Sequence, residues 1–80
     1  NAPRPVNDVR KFLIEKMKIN EKFLKNILTS GEAAINSIKN FDHGKFFFHL
    51  GPDRDSKIYQ GLENYKTKIE KCDYILCTGL

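Results

Sequence analysis

The chain has 80 residues, 40% of them apolar and 30% charged, with a formal net charge of +4. That is room for one small domain of ordinary globular composition, and it excludes a disordered tract. No apolar run is long enough to cross a bilayer as a helix and no signal peptide opens the sequence, so a cytoplasmic protein without membrane contact is expected.

Asn1-Ala2-Pro3-Arg4-Pro5 reads as an extended entry, because each proline biases the residue before it away from the α region. Pro5 also suits a first helical turn, where a missing N–H costs nothing. Val6, Val9, Phe12, Leu13 and Met17 then recur at helical spacing and predict a helix from about Pro5 to Met17. Lys18-Ile19-Asn20-Glu21 breaks it, and Asn20 is alternatively the cap of a short helical turn. Leu24–Leu28 reads as a strand. Thr29, with Glu32 three residues on, matches a capping box before an apolar run. The helix behind it carries Ala33, Ala34, Ile35 and Ile38 on one side and is predicted to end near Asn40. Asp42-His43-Gly44 is turn chemistry.

Phe46-Phe47-Phe48-His49-Leu50 is short, aromatic and ended abruptly by Gly51-Pro52, which reads as a buried strand. Asp55 is then placed to accept from the N–H groups of a helix starting near Ser56. That helix is expected to cover Lys57–Gln60, with Gly61 as its stop. Tyr65–Lys68 is predicted to form a short edge strand, and Tyr74-Ile75-Leu76-Cys77 a buried one. Helices and strands thus alternate, which predicts right-handed βαβ units and a small, mostly parallel α/β sheet. Its strand ends, Thr29-Ser30-Gly31, Gly51-Pro52 and Thr78-Gly79, would line one sheet edge, where open α/β sheets build their sites.

The charge is uneven. Residues 1–30 carry seven Lys/Arg against three Asp/Glu, whereas residues 31–80 carry seven of each. A basic helix can be a nucleic-acid footprint. Here the lysines alternate with Asp8, Glu15 and Glu21, and no aromatic residue sits between them on a polar face for base stacking, so a solvated face is the better reading. Cys72 and Cys77, five apart around a predicted strand, suit neither a metal pair nor a disulfide framework, and reduced thiols are expected.

The strand ends carry a resemblance. Asn1-Ala2-Pro3-Arg4-Pro5, Thr29-Ser30-Gly31-Glu32-Ala33, His49-Leu50-Gly51-Pro52-Asp53-Arg54-Asp55 and Asp73-Tyr74-Ile75-Leu76-Cys77-Thr78-Gly79-Leu80 occur in an order and spacing that resembles the haloacid-dehalogenase-type hydrolases of subfamily IIA. These are phosphatases with an α/β cap on a Rossmann-like core. The resemblance covers essentially the whole chain but only an internal piece of such a protein. It implies a start just after the Ser or Thr of the second family motif, the edge of the core over about residues 1–32, and the opening of the cap over about 33–80. The start at Asn1 rather than Met, and the end on Thr78-Gly79-Leu80 directly after an apolar run, point the same way.

By resemblance, Asn1 lies in the loop that helps bind the phosphoryl group. The nucleophilic and acid/base aspartates would precede Asn1, and the phosphate-binding lysine and Mg²⁺-binding acidic pair would follow Leu80. The implied substrate is a small phosphorylated metabolite and the implied cofactor Mg²⁺. The chain by itself is then expected to be inactive, either structural or a complementing fragment that associates with the missing pieces.

Asp53 and Asp55 alternate like a catalytic Asp-x-Asp pair, which phosphoryl transfer through an aspartyl-phosphate would need. However, Gly-Pro separates them from the strand, Arg54 stands between, and Ser-Lys follows, so helix capping and charge pairing account for them better. Arg54 is the candidate for contact with substrate in the cap, with Asp53 beside it, because a guanidinium can fork onto phosphate or carboxylate. The alternative for Arg54 is a surface pair with either aspartate. His43 and His49 have no partners at metal-ligand spacing. Ser30 is not in a nucleophile elbow and reads as a cap residue. Neither cysteine has a neighbour that would activate it.

Overall fold

The computed structural model describes residues 5–80. Strands β1 (Asn26–Thr29), β2 (Phe47–Leu50) and β3 (Tyr74–Cys77) form an all-parallel sheet with β3 in the middle. Thr29 and Leu50 both stand level with Cys77. The last strand in sequence therefore fills the gap that the first two leave, as its composition requires. All four residues of β3 are buried, so it offers neither face to water.

Helix α1 (Val6–Glu15) lies against β1, and helix α2 (Glu32–Lys39) packs with the segment Asp53–Tyr59. Strand alternation sorts the core into two layers. Val9 and Leu13 of α1 meet Ile75 and Cys77, with Ile27, Phe48 and Leu50 beside them. Ile38 of α2 and Tyr59 meet Phe47, Tyr74 and Leu76, with Leu28 alongside. Phe47 lies between Tyr59 and Tyr74, its ring centroid 4.9 and 5.8 Å from theirs. Both sheet faces are thus covered. The small α/β fold with a parallel sheet that the sequence pattern predicts is the fold observed.

Several local expectations are corrected. Helix α1 stops at Glu15, because Lys18 turns into the left-handed region (φ 58°) and the Ile19 N–H folds back onto the Leu13 carbonyl. Met17 is consequently exposed, as is Val6. The first strand begins at Asn26, not Leu24. Asn20 accepts a hydrogen bond from the Lys22 N–H and starts a 3₁₀ turn over Glu21–Phe23. The capping box does not form: Thr29 is the last residue of β1, and Gly31 occupies the N-cap with no side-chain bond.

After β2 the chain makes a 3₁₀ helix over Asp53–Tyr59, not an α-helix from Ser56, with Pro52 at its N-cap and Asp55 inside it. Two more 3₁₀ turns follow, Glu63–Tyr65 and Ile69–Lys71. Tyr65–Lys68 forms no strand. A single bridge between Phe47 and Lys66 and one hydrogen bond from the Thr67 N–H to the Phe47 carbonyl replace it. The β2–β3 connection is therefore built of 3₁₀ turns and contains no α-helix.

Candidate functional site

Parallel strands end together, so Ser30-Gly31, Gly51-Pro52-Asp53 and Thr78-Gly79 gather at one edge of the sheet. Two hydrogen bonds extend the ladder past the strands: Ser30 N–H to the Cys77 carbonyl (3.0 Å) and Thr78 N–H to the Leu50 carbonyl (2.9 Å). Gly51 sits where nothing larger fits. A Cβ there would collide with Thr78 Oγ1 and lie 3.1 Å from His49 Nε2. The glycine thus lets the turn after β2 close against the end of β3.

His49 holds this corner together. It follows Phe47 by two residues, so it points into the α2 face of the sheet, and it is 8% exposed. Its Nε2 lies 2.8 Å from Thr78 Oγ1 and its Nδ1 3.3 Å from the Tyr59 hydroxyl. A neutral imidazole has one donor and one acceptor nitrogen, and either hydroxyl can take the complementary role. Both nitrogens are satisfied, and the ring ties β2, β3 and the Asp53–Tyr59 turn to one another. Burial lowers its pKa, and Lys66 adds to the effect, while Asp55 and Asp53 oppose it. The imidazole is accordingly held neutral at pH 7, and through its two hydroxyl partners it braces the corner.

Of the candidates named from the sequence, Asp53 is exposed at the start of the 3₁₀ helix. Arg54 is 78% exposed, with Nε 3.8 Å from Asp55 Oδ1. A contact that long and that exposed is a weak pair, so the guanidinium remains open to solvent. Asn1 and Arg4 lie outside the described residues. Ser30 and Thr78 are half-buried at the edge. His43 is away from this corner, with its ring 6.3 Å from that of Tyr74.

Cys72 is buried, its thiol directed at the Ile69 carbonyl (3.2 Å), and burial raises its pKa. Cys77 is buried in β3 and is in no disulfide. Burial also pushes the Tyr74 hydroxyl up to about 12, with Asp73 adding to the shift. Among the described residues, no group of three or more His, Cys, Asp or Glu could hold a metal ion, and no helix is long and apolar enough to cross a membrane.

Sequence reasoning missed the His49–Thr78–Tyr59 linkage. Its only signals were a polar residue at an inward position of a strand and a glycine directly after it. Chemically the edge offers hydroxyls, backbone N–H groups and one open guanidinium, a set suited to recognising an anion. Compared with protein-family models, with curated proteins and with solved structures, the chain matches none.

Proposed function

We propose that this chain is part of a Mg²⁺-dependent phosphatase similar to the haloacid-dehalogenase hydrolases of subfamily IIA. It supplies the first portion of the cap and the loop beside the phosphate site. The observation that supports this reading is the gathering of Thr-Ser-Gly, Gly-Pro-Asp-Arg and Thr-Gly, far apart in sequence, on one edge of a parallel sheet. Strand ends of this kind are where open α/β sheets bind ligands.

In the proposed protein, Arg54 reaches from the cap toward an anionic group of a small phosphorylated metabolite, and Asp53 shapes the same turn. Asn1 stands beside the phosphoryl group. By the same resemblance the metal, the nucleophile and the proton donor belong to segments outside this chain, and no catalytic step is carried by it. The protein acts in the cytoplasm.

The reading predicts that the 80-residue chain with Mg²⁺ turns over none of a panel of small phosphate esters, and that Asn1→Ala and Arg54→Ala behave identically. Clear turnover abolished by Asp53→Ala would overturn it and make Asp53 and Asp55 a site in their own right.

A further inference from the structure

The sheet has two edges, and of these β2 is bridged by the chain around Lys66. On the β2 side, the Phe47 carbonyl faces away from β3 and is taken by the Thr67 N–H at 2.7 Å. On the β1 side the polarity follows from the ladder. A strand residue sends its N–H and C=O to the same side, and successive residues alternate. The Ser30 N–H goes to the Cys77 carbonyl of β3, so Leu28 and Asn26 face β3 as well. Ile27 and Thr29 therefore turn both their N–H and C=O groups outward. Among the described residues no backbone hydrogen bond from another element reaches them. Ile27 and Leu28 are only half-buried, although each packs against one layer of the core.

Such an edge is a template for another strand. Its ends carry opposite charges: exposed Lys25 precedes β1, and exposed Glu32 follows it. A second β1 laid parallel would bring Lys25 against Lys25 and Glu32 against Glu32. Laid antiparallel, it brings the Lys25 end of each strand to the Glu32 end of the other, which is self-complementary about a two-fold axis.

We propose that β1 pairs antiparallel with β1 of a second copy of this chain. Ile27 of one copy stands opposite Thr29 of the other, and the two sheets join into one. Ile27 and Thr29 exchange both main-chain bonds across the axis, and the open edge of each copy is consumed. Assembly stops at the dimer because the chain around Lys66 occupies the β2 edge at Phe47 and opposes a further strand there.

The test is sedimentation equilibrium of the whole chain over a concentration series, with Thr29→Pro and charge variants alongside. Proline at position 29 removes only an outward N–H and leaves the bonds to β3 intact, which an edge strand tolerates. The expected result is a reversible shift from one to two chain masses with rising concentration. Thr29→Pro, with an unchanged circular dichroism spectrum, is expected to remain at one mass. Lys25→Glu, an exposed change that leaves the fold alone, should weaken association at least several-fold, and Lys25→Glu with Glu32→Lys should restore it. A wild-type chain that stays at one mass, association that continues past two, or no response to the charge reversal would overturn the proposal.

Discussion

His49 is an inward-facing polar residue in a strand that is otherwise phenylalanine and leucine, and its cost is met by two hydroxyl partners, Thr78 and Tyr59. Protonation would place a cation in a corner that is already near Lys66. The charged groups that act on the ring are Lys66, which disfavours the cation, and Asp53 and Asp55, which favour it less strongly than burial opposes it. The folded pKa thus lies below that of the unfolded chain, whose histidine titrates near ~6.5. Between those two values the unfolded chain binds more protons. The contribution of His49 to stability is fully present above ~6.5 and is lost as pH falls through the lower, folded value. Urea midpoints measured from about pH 8 to about pH 5 should fall for the wild type. His49→Gln, which keeps hydrogen-bonding capacity but does not titrate there, should flatten that part of the curve. An identical slope in both proteins would show that His49 is not its source.

At the scale of elements, α1 ends on a residue that is poorly suited to its conformation. Lys18 is exposed and sits at φ 58°, where a side chain costs about 1–2 kcal/mol and glycine costs nothing. Lys18→Gly is therefore expected to stabilise the protein by about 0.5–1 kcal/mol, after the added freedom of glycine in the unfolded chain is deducted. Thermal unfolding measures this, and a lower midpoint in the variant would contradict the role assigned to that turn. Much of this level was legible in the sequence. Tyr74–Cys77 contains no charged residue and reads as a buried strand, as observed, and Gly51-Pro52 ends β2. The spacing of Val9 and Leu13 fixed which face of α1 is buried. The turns after β2 were not legible, because an apolar residue every three or four positions fits an α-turn and a 3₁₀ turn equally. Thr29 and Glu32 have the spacing of a capping box, but local spacing cannot tell that β1 runs through Thr29, level with Cys77, and leaves the N-cap to Gly31. The brace was hidden for a related reason: His49 and Thr78 are 29 residues apart and meet only once the register of β2 on β3 is known.

The whole molecule is a thin sheet with one helical layer on each face, and every layer depends on β3 being in place. No part of the sheet forms without β3, because β1 and β2 pair only with it. A domain of this length has a total stability of about 4–12 kcal/mol. It therefore has little to lose, and further contacts, whether to a second copy or to the remainder of a larger protein, would weigh heavily. The exposed edge at β1 and the polar strand ends are the two surfaces on which such contacts are proposed.

The central claim is that these strand ends serve a phosphatase whose catalytic groups lie outside the chain. Its most direct test is to express the chain together with its adjoining coding sequence on both sides and to measure phosphate release from small phosphate esters with and without Mg²⁺. The account predicts an Asp-x-Asp motif upstream and turnover that requires Mg²⁺, abolished when the first of those aspartates is changed to Asn and reduced by Arg54→Ala. Adjoining sequence without that motif, or a folded extended protein that releases no phosphate from any ester, would contradict it.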